Sequence, residues 1–266
     1  MSAIRVGAVQ YLNARPLVHG LDNQNDLFSI EYDIPAKCAS LLHDRSIDLG
    51  LIPTIEYLRK PNYRLVPNIG VVSHGPVESV ALFTTRPVQA IRSIAVDTSS
   101  RTAATLLRIL CAEWFDIEPN FHTMAPDLDA MLKRCDAALL IGDTALFTEH
   151  ETVVDLDKID LGEEWTAMTS LPFVWAVWSG RDGAVNSEHL VALEKARDAG
   201  IEALDQIAGQ FGPKEDDQAE LAREYLKKNV QFELTEDCRN GLKRYFEFAL
   251  KMGIFQHSGS LQFYEK

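Results

Sequence analysis

Hydroxyl residues crowd the point where an apolar strand gives way to an amphipathic helix. Ile94-Ala95-Val96-Asp97 runs into Thr98-Ser99-Ser100-Arg101-Thr102, and Ala103 to Leu110 then carries the helical pattern. The first N–H groups of a helix have no carbonyl partner inside it, and the helix dipole adds partial positive charge, so such a junction suits a carboxylate or a phosphate. The hydroxyls of Thr98, Ser99, Ser100 and Thr102 and the guanidinium of Arg101 add further donors. A plainer use is open for this segment alone, in which Ser99 or Ser100 only caps the helix and Arg101 lies on the surface.

Three more polar junctions follow apolar runs, and the repetition favours a ligand site. They are Gln10-Tyr11-Leu12-Asn13-Ala14-Arg15-Pro16 after Ile4 to Val9, Pro53-Thr54 after Asp48 to Ile52, and Gly142-Asp143-Thr144-Ala145 after Ala137 to Ile141. Tyr11, Gly142 and Asp143 thereby join Thr98 to Thr102 as candidate ligand contacts. Asp143 would repel an anion while ionised, so its use is to orient the Gly142 loop or to cap the next helix. Arg15 is placed equally well on the surface or at the site.

Strands alternate with helices around these junctions. Ser29 to Ile34 reads as a strand, Pro35 opens a helix through Leu42, and another helix passes Tyr57 and Leu58. That order predicts a parallel or mixed sheet with ligand sites at the carboxyl ends of its strands. The turn-rich Ser73-His74-Gly75-Pro76-Val77 and the pair Arg86-Pro87 punctuate the chain before a second strand–helix series, and the apolar strand Phe173 to Trp178 ends in Ser179-Gly180. Two crossings imply two lobes and a hinge. The expected division is residues 1–84 with 178–266 in the first lobe and 85–177 in the second. From Ser187 onward Leu190, Leu193, Ile201, Leu204 and Ile207 recur at helical spacing, as do Leu221, Tyr225, Leu226, Leu242, Tyr245 and Phe246, and they are expected to pack on the first lobe.

Composition narrows the partners. With 266 residues, 46% hydrophobic, the chain can bury a large core. A formal net charge of −13 leaves no basic stripe for nucleic acid or an anionic membrane. A small anion remains possible because screening limits the unfavourable field to about 8 Å at physiological salt. Cys38, Cys111, Cys135 and Cys238 stand far apart with no metal or redox spacing and read as buried thiols. No nucleotide loop or metal cluster is present in the pattern, so neither cofactor nor metal is expected. The start, Met1 to Val6, passes into a strand without a secretion pattern, and a cytoplasmic location is expected.

A family resemblance then emerges from residues spread in order over the first two-thirds of the chain. Arg5-Val6-Gly7, Tyr11-Leu12-Asn13, Pro16-Leu17, Asp48-Leu49-Gly50-Leu51-Ile52-Pro53 and Glu56-Tyr57 resemble the chorismate dehydratase family of the futalosine route to menaquinone. So do Gly75-Pro76-Val77 with Ser79, Ser99-Ser100-Arg101-Thr102, Ile141-Gly142-Asp143 with Ala145-Leu146, Asp160-Leu161-Gly162 with Glu164-Trp165, and Leu171-Pro172-Phe173-Val174 with Ala176-Val177-Trp178. The resemblance implies an α/β, two-lobed fold of the periplasmic-binding-protein type II kind, with a cleft between the lobes. It also implies a lyase that removes water from chorismate to give 3-[(1-carboxyvinyl)oxy]benzoate. Two other functions stay in contention: the 1,4-dihydroxy-6-naphthoate synthase of the same route, which the Tyr-Leu-Asn and Ser-Ser-Arg-Thr runs fit less well, and a solute-binding protein that captures a small organic anion unchanged.

The resemblance assigns Asn13 and Ser79 to the reacting region, where both would hold substrate by hydrogen bonds. Without it, each residue would only satisfy its own turn. Arg101 with Ser99, Ser100 and Thr102 is the expected carboxylate clamp. The matched motifs contain no histidine: His74 lies beside Gly75, and His19, His43 and His122 fall in segments that read as helix or loop. Glu78 is expected to face away from Ser79, and Trp165, Trp175 and Trp178 are expected in the core.

Overall fold

A computed structural model describes residues 3–149, 156–211, 216–255 and 260–265. The first lobe begins with β1 (Ile4–Val9), a 3-10 turn over Leu12–Ala14, α1 (Arg15–Val18), β2 (Phe28–Asp33), α2 (Pro35–His43), β3 (Leu49–Pro53), a 3-10 helix over Thr54–Arg59 and β4 (Tyr63–Ser73). The second contains β5 (Val80–Thr84), β6 (Ser93–Asp97), α3 (Thr102–Glu113), β7 (Asn120–Met124), α4 (Leu128–Leu132), β8 (Ala137–Ile141), α5 (Gly142–Leu146), β9 (Asp157–Asp160) and α6 (Leu161–Thr169). The chain returns through β10 (Phe173–Arg181) to the helices α7 (Ser187–Glu202), α8 (Leu204–Phe211), α9 (Asp216–Lys228) and α10 (Glu236–Lys251).

The two sheets repeat one plan. Their orders are β2-β1-β3-β10-β4 and β7-β6-β8-β5-β9. In each, the fourth strand is antiparallel to both neighbours and is the strand that has just arrived from the other lobe. β3, β5 and four residues of β8 are buried, as expected of strands covered on both faces. The lobe boundaries expected at 84/85 and 177/178 are therefore corrected. β5 pairs with β8 and β9, so it lies in the second lobe, and all of β10 lies in the first sheet. The crossings are residues 74–79 and 170–172. Pro87, read as punctuation between lobes, only opens a 3-10 turn over Val88–Ala90 inside the second.

β7 and β9 escaped the sequence reading because their residues are polar and largely uncovered. α7 packs on α1 and β4, and α8 and α9 pack against the 12–14 turn. α10 lies over β10 and reaches α3 of the second lobe, with Trp165, Phe173, Tyr245 and Phe248 forming an aromatic cluster beneath it. Among the described residues no helix is long and apolar enough to cross a membrane.

Candidate functional site

The carboxyl ends of β1, β3, β6 and β8 face one another across the lobes and enclose a partly open cavity of about 540 Å³, open solvent included. Tyr11, Asn13, Ser99, Ser100, Arg101, Thr102 and Gly142 all line it, so the structure brings seven of the expected site residues to one place. Apolar side chains, among them Val9, Leu51, Val71, Val80 and Ile141, form most of the remaining wall. Trp175 belongs to the core, as expected, and also lines the cavity, with its indole Nε1 donating to Ser73 Oγ at 3.0 Å. Trp165 and Trp178 are fully buried in the core.

The seat at the start of α3 is shaped by Asp97. Its Oδ1 accepts from Ser99 N and Ser99 Oγ, both at 2.8 Å, which folds Ser99 back toward the strand end. Burial pushes the Asp97 carboxyl up, against those two bonds. Ser100 Oγ accepts from Ala104 N at 3.1 Å, and Thr105 N donates to Arg101 O, leaving the first-turn N–H groups of Thr102 and Ala103 as donors beside the cavity. Thr98 does not belong to this wall, contrary to expectation. Its N–H continues the β6–β7 pairing to Met124 O, and the residue is exposed on an outer groove with Arg108 and Phe121.

Arg101 is the one cation in the lining among the described residues, and it is already held from the opposite lobe. Its Nη1 lies 3.1 Å from Glu56 Oε1 and its Nη2 donates to Ser40 Oγ at 3.3 Å. Glu56 is 1% exposed, and its Oε2 also meets Arg59 Nε and His43 Nε2, each at 2.6 Å. Burial alone would raise its pKa, but the His43 and Arg59 hydrogen bonds and the Arg101 charge outweigh it and hold the carboxyl at about 2. One carboxylate thus sits between two guanidinium groups, of which only that of Arg101 reaches the cavity wall. His43, expected only as part of a helix, is a link in this chain and also contacts Tyr63 OH at 2.7 Å. His122 lies in β7.

The opposite wall follows β1. Tyr11 is extended, and its ring lies against Gly142 of the other lobe. A Cβ at Gly142 would come within 2.7 Å of that ring, and its φ of +63° independently favours glycine. Tyr11 OH stands 3.5 Å from Ser99 Oγ, at the limit of hydrogen-bond reach. Burial raises the pKa of the Tyr11 phenol against the Ser99 bond, with Asp97 and Asp143 adding to the rise. Asp143 neither lines the cavity nor caps α5. Its Oδ1 accepts from Leu12 N at 3.0 Å and so ties the two lobes together. Burial lifts its carboxyl to about 6 against the pull of that N–H and of Arg15. Arg15 itself is exposed on a neighbouring groove with His19, Asp22 and Tyr32.

Ser79 sits just behind the wall. It is 1% exposed and absent from the lining, but it precedes lining residue Val80, and its carbonyl accepts from the N–H of lining residue Gly142 at 2.7 Å. The crossing that delivers it is fixed by Asp160, whose carboxylate accepts from Val77 N, Glu78 N, Gly162 N and Glu163 N. Glu78 takes a left-handed φ of +62°, and its carboxylate pairs with Lys158 Nζ at 2.6 Å. Ser79 Oγ meets the hydroxyl of Tyr225, from α9, at 2.7 Å.

Sequence reasoning missed Glu56, Asp160, Trp175 and Tyr225. Glu56 carried a signal as an acid inside an apolar stretch, and Asp160 as a helix N-cap. Tyr225 carried none, because its spacing from Leu221 and Leu226 fits a plain packing face.

A family model described as menaquinone biosynthesis matches residues 4–251. A chorismate dehydratase from Thermus thermophilus is 30% identical over 258 residues, covering 91% of this chain and 93% of that protein. Among solved structures, a protein from Archaeoglobus fulgidus superposes with a TM-score of 0.77 at 18% identity, over 96% of this chain and 99% of that one. The periplasmic aliphatic sulphonate binding protein from Escherichia coli does so with a TM-score of 0.58 at 15% identity, over 100% and 95%. These structural likenesses are of fold, a two-lobed arrangement of the periplasmic-binding-protein kind.

Proposed function

The chain belongs to the menaquinone biosynthesis family, and from that premise we propose that its cleft is the site of a chorismate dehydratase, a lyase that removes water from chorismate to give 3-[(1-carboxyvinyl)oxy]benzoate. The observation that carries this reading is the convergence of Asn13 from one lobe and Arg101 from the other on one cavity.

Chorismate is a cyclohexadiene with two carboxylates, and losing its ring hydroxyl makes it aromatic. Much of the driving force therefore lies in the substrate, and the protein has to hold a reactive conformer rather than supply a strong acid or base. Arg101, with the N–H groups of Thr102 and Ala103 and the Ser99 and Ser100 hydroxyls, grips one carboxylate. Asn13, in the lining, holds the leaving hydroxyl from the wall opposite, and Ser79, immediately behind that wall, holds the wall in place. The second carboxylate, on the enolpyruvyl group, takes the neighbouring ring proton. The C–H electron pair becomes the new ring double bond, the C–O pair leaves with hydroxide, and hydroxide with that proton makes water. The apolar wall excludes bulk water, so each of these hydrogen bonds acts in a low-dielectric setting. A cytoplasmic location accords with four cysteines that are all free thiols.

Incubating purified protein with chorismate alone tests the reading. Chorismate should disappear as an aromatic product lighter by one water accumulates. Saturable binding without loss of chorismate would instead identify a solute-binding protein, and neither binding nor loss would favour the naphthoate synthase.

A further inference from the structure

We propose that Tyr225 is a positioning residue of the dehydration, its hydroxyl joining Asn13 of the first lobe to Ser79 at the crossing into the second. This inference rests on the dehydratase reading and goes beyond it, since no feature of the helical tail carries a role in that reading.

Tyr225 is 1% exposed, and a buried phenol needs a hydrogen-bond partner wherever it sits. What sets this one apart is the identity of its partners. Its hydroxyl is 2.7 Å from Ser79 Oγ, and the Asn13 side chain, on the turn that α9 packs against, lies near enough to pull its pKa down. Those are the two uncharged groups assigned to the reacting region, and they come from segments 66 positions apart. Burial raises the phenol well above the ordinary tyrosine range, against the pull of Ser79 and Asn13, so it stays a neutral hydroxyl.

A single phenol proton can be donated once, so Tyr225 donates to one of these neighbours and accepts from the other. Either order ties the Asn13 amide and the Ser79 hydroxyl into one chain, and the wall formed by Val80 and Gly142 lies beside Ser79. Asn13, with one end of its amide turned to Tyr225, presents the other in a fixed orientation. Removing the phenol oxygen frees both the hydroxyl rotor and the amide. Turnover should then suffer while the carboxylate grip at Arg101, on the far wall, stays intact.

Steady-state conversion of chorismate by the full chain tests this with Tyr225→Phe, Ser79→Ala and the double variant. A second replacement, 4-fluorophenylalanine at position 225, fills the volume of the hydroxyl without donating, so packing is preserved even where phenylalanine loosens the fold. Both replacements should lower kcat about 10- to 100-fold, the worth of one or two buried hydrogen bonds, and leave KM within about threefold. In the Ser79→Ala background the further loss should shrink to about twofold or less, because the two groups act as one unit. A kcat within twofold of the unmodified protein for the 4-fluorophenylalanine variant overturns the proposal, as does an undiminished loss in the Ser79→Ala background. An unmodified protein that leaves chorismate intact overturns the dehydratase reading first, and the role of Tyr225 with it.

Discussion

The two walls of the cleft are built on opposite principles. The Arg101 wall is charged and nearly contiguous: Ser99 to Ala103 supply the donors, and one buried carboxylate, Glu56, sets the guanidinium from across the cleft. The Asn13 wall is uncharged and backed by Ser79 and Tyr225, so that its three polar groups lie on a turn, a crossing and a distant helix. Gripping a carboxylate needs a strong field and tolerates some looseness, which a helix start and a guanidinium supply together. Steering a leaving hydroxyl needs fixed dipoles, which demand support from several directions. The difference separates affinity from turnover by side of the cleft.

Damage to the uncharged wall should give the largest effect. Asn13→Ala is expected to lower kcat on the order of 100- to 1,000-fold, the usual cost of losing a transition-state donor, and Ser79→Ala about 10- to 100-fold through the wall it supports, both with KM within about threefold. Chorismate turnover at saturating and limiting substrate measures both terms. Unchanged kcat in both variants would dissolve the contrast between the walls. Arg101→Gln should show the converse, raising KM about 10- to 100-fold through loss of a charge-assisted bond while kcat falls by less than about fivefold. A fall confined to kcat would move Arg101 into the chemistry and erase the division.

Acid sharpens the comparison because a shifted carboxyl behind each wall ties the two lobes together. Glu56 is held at about 2, so its contribution to stability is complete above the ordinary glutamate value and is lost as pH falls toward 2. Asp143 has the opposite sign. Its folded value of about 6 lies above the unfolded one, so the folded state favours the protonated acid and loses stability as pH rises from about 4 through 6. Asp143→Asn keeps an oxygen for Leu12 N and removes the charge. Relative to the unmodified protein, the variant should gain on the order of 2 kcal/mol between pH 4 and pH 7, with a plateau above about 6. Urea unfolding of both proteins at pH 4, 5, 6 and 7 measures it. A stability difference that stays flat across that range would show that Asp143 does not titrate there.

Much of the charged wall was legible because local rules create it. A strand end, hydroxyl residues and an amphipathic helix lie within ten positions, and capping and dipole arguments apply to neighbours in sequence. The alternation of strands and helices likewise conveyed two lobes, and β3 and β8 announced themselves as apolar runs. The boundaries did not follow, because whether β5 joins the sheet before it or after it depends on antiparallel pairing with β8 and β9, not on Pro87. β7 was hidden because the outer strand of a sheet keeps polar residues. The uncharged wall was half visible: Asn13 and Ser79 stood out through family likeness, and Tyr225 did not, since a tyrosine at helical spacing reads the same whether its hydroxyl ends in the core or against Ser79.

The smallest expected effect tests the edge of the charged wall. Thr98 and Ser99 are adjacent hydroxyl residues at the same junction, yet the Asp97 turn sends them to different sides. Ser99 enters the cavity and bonds Asp97 Oδ1, whereas Thr98 is exposed on the outer groove and ties itself to Met124 only through its backbone N–H, which alanine retains. Thr98→Ala should therefore leave kcat and KM within about twofold, the range of an ordinary surface change. Ser99→Ala removes a hydroxyl from the seat, and its KM should rise by about 5-fold or more. If the two variants raise KM equally, the seat for the carboxylate wraps around the strand end to include the outer groove. The strict separation of an inner, ligand-bearing face of α3 from an outer one would then be wrong.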